Sequence, residues 1–96
     1  VEYLPFIVPG GHELAVAVEA AAKSGANVIA MRNHGAISLG RTAREALARM
    51  VVLEDQAKTM VAALAAGRPR PLTLSEQDAI RNLDVEAYRR KLLGGA

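Results

Sequence analysis

The apolar positions of the chain fall into two periodicities, and their alternation sets out the elements. Residues 3–8 open with the β-branched and aromatic side chains Tyr3, Phe6, Ile7 and Val8, which read as an extended segment. Pro5 lacks a backbone donor and confines that segment to a sheet edge or a loop. Pro9, Gly10 and Gly11 then break it. From His12 to Ser24 the apolar positions Leu14, Ala15, Val18, Ala21 and Ala22 recur at helical spacing. Glu13 in the first turn and Lys23 in the last complement the helix dipole, and Gly25 follows as a stop.

The period then changes. Residues 27–31 read as a short buried strand and residues 36–39 as another, bounded by Gly35 and Gly40. The polar tetrad Arg32, Asn33, His34, Gly35 between them is short enough only for a turn, so the two strands can close a hairpin with His34 at its tip. Thr42 and Glu45 stand at capping-box spacing, and a long helix follows to Ala66. Its apolar stripe is Ala46, Leu47, Met50, Leu53, Ala57, Met60, Val61 and Leu64, and Gly67 ends it. Residues 68–71 alternate Arg and Pro as a stiff connector. A second cap, Thr73 or Ser75, opens a more polar helical region over residues 76–93, interrupted near residues 82–84, and Gly94–Gly95 closes the chain. The order β, α, β, β, α, α gives an α/β class. Two strands make no stable sheet alone, so the pattern predicts part of a larger α/β layer.

Composition narrows the class. At 96 residues the chain is one domain or a piece of one. Its 51% hydrophobic content comes from alanine and small aliphatics, with Tyr3, Phe6 and Tyr88 as the aromatics, which suits close helix packing with few large anchors. Twelve basic residues against ten acidic ones leave a net charge of +2, too small an imbalance to point to nucleic acid. The absence of cysteine excludes a disulfide framework and a thiolate metal site, and fits a reducing, cytoplasmic setting. No apolar run approaches the ~18 residues of a membrane helix, so no membrane role is expected. The chain opens on Val1–Glu2–Tyr3, unlike a signal peptide, and passes at once into apolar residues, as an internal segment of a longer protein would.

Candidate chemistry centres on His34. A turn at a strand end can project an imidazole into a cleft, and neutral imidazole is a common divalent-metal ligand. Spacing alone favours a histidine that merely caps a turn, because a metal site needs three or four ligands and no His-x-x-x-His pattern is present. Gly35 beside it offers backbone freedom. Gly10, Gly11, His12 and Glu13 open a helix whose free amides could take an anion, or simply begin a helix. Glu54 and Asp55 read as a solvated face, with Lys58 in reach of Glu54, and the basic cluster Arg89, Arg90, Lys91 as a favourable helix C-terminus.

Taken in order, these motifs resemble the class II aldolase/adducin family. The resemblance is carried by Met31, Arg32, Asn33, His34 and Gly35, an apolar strand to Gly40, and a capped helix containing Glu54, Asp55, Gln56 and Ala57. Upstream, Gly10–Gly11–His12–Glu13–Leu14 is similar to the family's Gly-Thr/Ser-x-Glu-Leu helix start, with Gly11 where a hydroxyl is usual. Residues 71–76 are similar to the family's segment after the long helix.

The resemblance implies a three-layer α/β/α domain, of which residues 1–96 would be the C-terminal portion, separated from a missing N-terminal half. It implies a divalent metal of the zinc type, held by His34 in a turn shaped by Asn33 and Gly35. The other ligands come from an upstream His-x-His and the proton-moving carboxylate from the same region, so no catalytic residue is expected in this chain. The reaction implied is retro-aldol cleavage of a sugar phosphate by a homo-oligomer, commonly a tetramer; a ketose-phosphate epimerase or dehydratase shares the half-site. A non-catalytic adducin-like interaction module is the alternative of a different class.

Overall fold

In the computed structural model, residues 1–92 are described. Seven elements follow one another: β1 (Glu2–Leu4), α1 (His12–Lys23), β2 (Val28–Met31), β3 (Gly35–Ser38), α2 (Ala43–Ala66), α3 (Leu74–Arg81) and α4 (Asp84–Leu92). The three strands form one sheet in the order β1-β2-β3. β1 pairs parallel with β2, with α1 as the crossover between them, and β2 pairs antiparallel with β3 through the hairpin. The first strand is shorter than the extended run 3–8 expected, because Pro5 follows Leu4 directly and cannot donate to the ladder. β1 also takes the sheet-edge place that Pro5 calls for.

Strand alternation assigns the faces. Ile29 stands opposite Ile37 and Met31 opposite Gly35, while Leu4 pairs with Met31. These side chains cluster with Ala17, Val18 and Ala21 of α1, and Ile29 at the centre is 0% exposed. The intervening residues point the other way: Ser38 Oγ donates to the Ala46 carbonyl of α2 at 2.7 Å, and Val28 shares a cleft with Val52 and Leu53. The sheet is therefore met by α1 through one set of alternating residues and by α2 through the other.

α1 ends as its sequence signals. The Ser24 amide donates to the Ala20 carbonyl, and Gly25 takes φ +94°, a left-handed conformation suited to glycine. α2 starts on Thr42, whose hydroxyl accepts from the Glu45 amide at 3.1 Å. The carboxylate of Glu45, only 5% exposed, pairs with Arg49 at 2.7 Å, and its Oε2 is buried with no hydrogen-bond partner among the described residues. Such an orphan acceptor costs about 1–3 kcal/mol, an expense that the Arg49 pair must offset.

Gly40 has a different task from a stop signal. A Cβ there would lie 2.6 Å from the Ala46 nitrogen and 3.1 Å from its Cα, so only glycine lets the β3–α2 connection run this close to the helix backbone.

Of the expected stripe of the long helix, Leu47 near its start is exposed, and so is every position from Ala57 onward. Val51 and Val52 beside the stripe are exposed too. The radius of gyration is 15.3 Å, against roughly 12–13 Å for a compact domain of this length. α3 and α4 pack on one another. α3 carries a complete capping box, with Thr73 Oγ1 accepting from the Glu76 amide at 3.1 Å and Glu76 accepting from the Thr73 amide at 3.0 Å. The break expected near residues 82–84 falls between Arg81 and Asp84. Gly94–Gly95 and the end of the helical region expected at Leu93 lie outside the described residues.

Candidate functional site

Hydrogen-bond geometry builds the His34 turn from the strands inward. Met31 pairs with Gly35, so the chain reverses over Arg32, Asn33 and His34. The His34 amide donates to the Met31 carbonyl at 3.1 Å, and the Arg32 amide donates to the Leu4 carbonyl of β1 at 3.3 Å. The tip is thereby tied to both neighbouring strands. Asn33 sits at φ +58° in the turn closed by the His34–Met31 bond, a left-handed conformation that Asn tolerates better than most residues other than Gly. The backbone freedom expected of Gly35 is thus used at Asn33 instead. Gly35 lies outside the positive-φ region and faces open space, because it already belongs to the β3 ladder.

His34 is exposed and stands at the edge of a cleft of about 710 Å³. Gly10 and Gly11, before α1, form one end of that cleft; Leu14 and Val18 line its helix wall, and Met31 and Ile37 its sheet wall. The N-cap of α1, Gly11, makes no side-chain hydrogen bond and lines the same cleft as the histidine. The resulting space is apolar, with an imidazole at its rim and backbone amides at one end. Its chemistry is that of a ligand donor beside an open, largely apolar wall, with Glu19 also on the lining.

The other candidates from the sequence stand elsewhere. Glu54 and Asp55 are exposed on α2, with Lys58 3.9 Å from Glu54, as expected of a solvated face. Arg89 pairs with Glu86 at 2.6 Å, and Arg90 donates to the Arg81 carbonyl at 3.3 Å, so this basic cluster serves the α3–α4 pair. Among the described residues no three His, Cys, Asp or Glu side chains gather closely enough to hold a metal ion. His34 is a suitable donor, but the described residues supply no second and third, so no reaction step through a metal follows from them.

One arrangement was not foreseen. Arg49 reaches from α2 to the Leu39 carbonyl while pairing with Glu45, and with the Ser38 bond it fastens the far end of β3 to the helix. The Glu45–Arg49 spacing of i, i+4 was visible in the sequence, but it reads there as an ordinary helix-surface pair.

Residues 1–61 match the family model described as "Class II Aldolase and Adducin N-terminal domain". The chain belongs to the class II aldolase/adducin family. The match takes in β1, the His34 hairpin and most of α2, and stops before the 71–76 segment. No curated protein and no solved structure matches the chain. Membership fits the observed mixed α/β fold, and since the family joins aldolases to adducins it leaves catalysis to be argued.

Proposed function

We propose that the chain is the His34-bearing portion of a class II aldolase-type lyase that cleaves a sugar phosphate by a retro-aldol reaction. The observation that carries this reading is the His34 turn, held by β1 and β2 at the rim of a cleft between α1 and the sheet. His34 would be one metal ligand, Asn33 would hold the turn in its left-handed conformation, and Gly35 would begin the strand behind it. A divalent ion of the zinc type, when bound, would supply Lewis acidity toward the oxygens of a hydroxyketone. The chain's own contribution is to hold one donor beside the apolar wall of Leu14, Val18 and Ile37.

The remaining ligands and the proton-moving carboxylate would come from protein outside residues 1–92, in a single three-layer α/β/α domain. The meeting of α1 and α2 with alternate residues of the sheet supports that layering. A cytoplasmic homo-oligomer, commonly tetrameric, completes the proposal, with an epimerase or dehydratase using the same half-site.

The test is His34→Ala in the full-length protein, with bound metal measured by elemental analysis and the fold by circular dichroism. Loss of metal and of lyase activity with the fold retained is the expected result. Metal content equal to that of the wild type would refute the ligand assignment. A wild-type protein that takes up no divalent metal would favour the adducin-like reading of the family.

A further inference from the structure

The strand that follows His34 is poorly addressed by its own side chains. β3 reads Gly-Ala-Ile-Ser, and in the observed register Ile29 faces Ile37 while Val28 faces Ser38. Moving β3 by two residues would keep every side chain on its present face, since the pleat has period two. Ile29 would then face Leu39 and Met31 would face Ile37, pairs at least as apolar as the observed ones. The hairpin loop would lengthen to include Gly35 and Ala36, and His34 would leave its place after the Asn33 turn. Neither hydrophobic pattern nor strand alternation excludes that second register.

What distinguishes the two is the fastening of the far end of β3, where Ser38 Oγ donates to the Ala46 carbonyl, Gly40 runs against the backbone of α2, and Leu39 is held at both its backbone groups. The Leu39 amide donates to the Asn27 carbonyl at 2.8 Å, and its carbonyl accepts from the Arg49 guanidinium. Arg49 is itself held at 2.7 Å by Glu45, a carboxylate buried in the first turn of α2. A two-residue slip would carry Leu39 about 7 Å along the strand. Arg49 cannot follow, because leaving Glu45 would strand a buried charge.

We infer that Arg49 is a positioning residue: by joining Leu39 to Glu45 it acts with the Ser38–Ala46 bond to lock the register of β3 and so sets which residues form the tip that presents His34. The lock acts through the strand and touches no ligand. Its bearing on metal binding rests on the function proposed above for His34, whereas the register itself does not.

Cross-strand nuclear Overhauser contacts test the inference directly. Arg49→Lys keeps the charge beside Glu45 but lacks the forked donor that reaches both partners. Ile29, Met31, Ile37 and Leu39 share one apolar cluster in the native pairing, so only backbone Hα and amide contacts report the register, and in the wild type only those of the four observed pairs are expected. In Arg49→Lys a second set, Ile29–Leu39 and Met31–Ile37, is expected at roughly a tenth of the population or more. The double variant Glu45→Leu/Arg49→Met, which removes both charges, should show the same second set. Ile29→Val, which weakens the core without touching the lock, should show the native set alone. Native pairs only in Arg49→Lys, or a second set of equal size in Ile29→Val, would overturn the inference.

Zn²⁺ titration of the full-length protein forms a second arm. Where the wild type binds Zn²⁺ and His34→Ala does not, affinity in Arg49→Lys should fall in proportion to the native-register fraction. Unchanged affinity beside a substantial second set would show that the register does not govern His34. A wild type that does not bind Zn²⁺ defeats the functional proposal and leaves the register result to stand by itself.

Discussion

Replacing Gly40 by Ala isolates one steric contact. The added methyl would sit 2.6 Å from the Ala46 nitrogen and 3.1 Å from both the Ala46 Cα and the Glu45 carbonyl carbon. All three are backbone atoms at the start of α2, so no side chain can swing aside. Gly40 is not in a positive-φ conformation, which removes backbone strain as a competing cause. The helix must move outward, and that strains the Ser38–Ala46 bond and the reach of Arg49 to Leu39. Overpacking of this kind costs about 1–3 kcal/mol. At about 4–8 °C per kcal/mol for a chain of this size, the melting temperature should drop by at least ~4 °C.

Gly35→Ala is the matched control. Nothing lies within 4 Å of a Cβ at Gly35, and its φ suits an L residue. Alanine there should be neutral or stabilise by up to about 1 kcal/mol through a less flexible unfolded chain. Thermal melts of both variants at one protein concentration, followed by circular dichroism, decide the matter. A Gly40→Ala melt within ~2 °C of the wild type, or an equal loss in Gly35→Ala, would refute the close approach of this loop to α2.

Two further outcomes follow from other parts of the chain. The Glu76 carboxyl is held below its ordinary 4.5 chiefly by the hydrogen bond from the Thr73 amide and next by Arg70. A lowered acid favours the folded cap above the ordinary value and loses that favour as the pH falls through the lowered one. The α3 N-terminus should therefore keep its cap below pH 4.5 and fray only under more acid conditions, which amide shifts of Thr73 and Glu76 would report; an ordinary titration of Glu76 would contradict it. Val51 is 51% exposed on α2, an apolar side chain open to contact with a second copy. Val51→Glu should lower the mass seen by light scattering at micromolar concentration without unfolding the protein, and an unchanged mass would remove this helix from the contact.

Local chemistry settled much of the architecture in advance. Glycine at position 25, the hydroxyl caps at Thr42 and Thr73, and the prolines at 5, 69 and 71 act over one turn of chain, so the helix limits and the short hairpin were legible from the residues alone. The same holds for His34 at the hairpin tip, since a turn between two strands needs no distant partner to form. Decisions taken by approach between distant segments were not legible. The positive φ fell to Asn33 because strand pairing had already claimed Gly35, and the need for glycine at position 40 arose from the backbone of α2. Glu45 and Arg49 have a spacing that serves an exposed helix equally well; only the seating of α2 against β3 buried the carboxylate and aimed the guanidinium at Leu39. Periodicity marked the face of α2 that could be buried, but among the described residues Leu47 and the stripe positions from Ala57 to Leu64 are exposed, so the sheet covers only part of it.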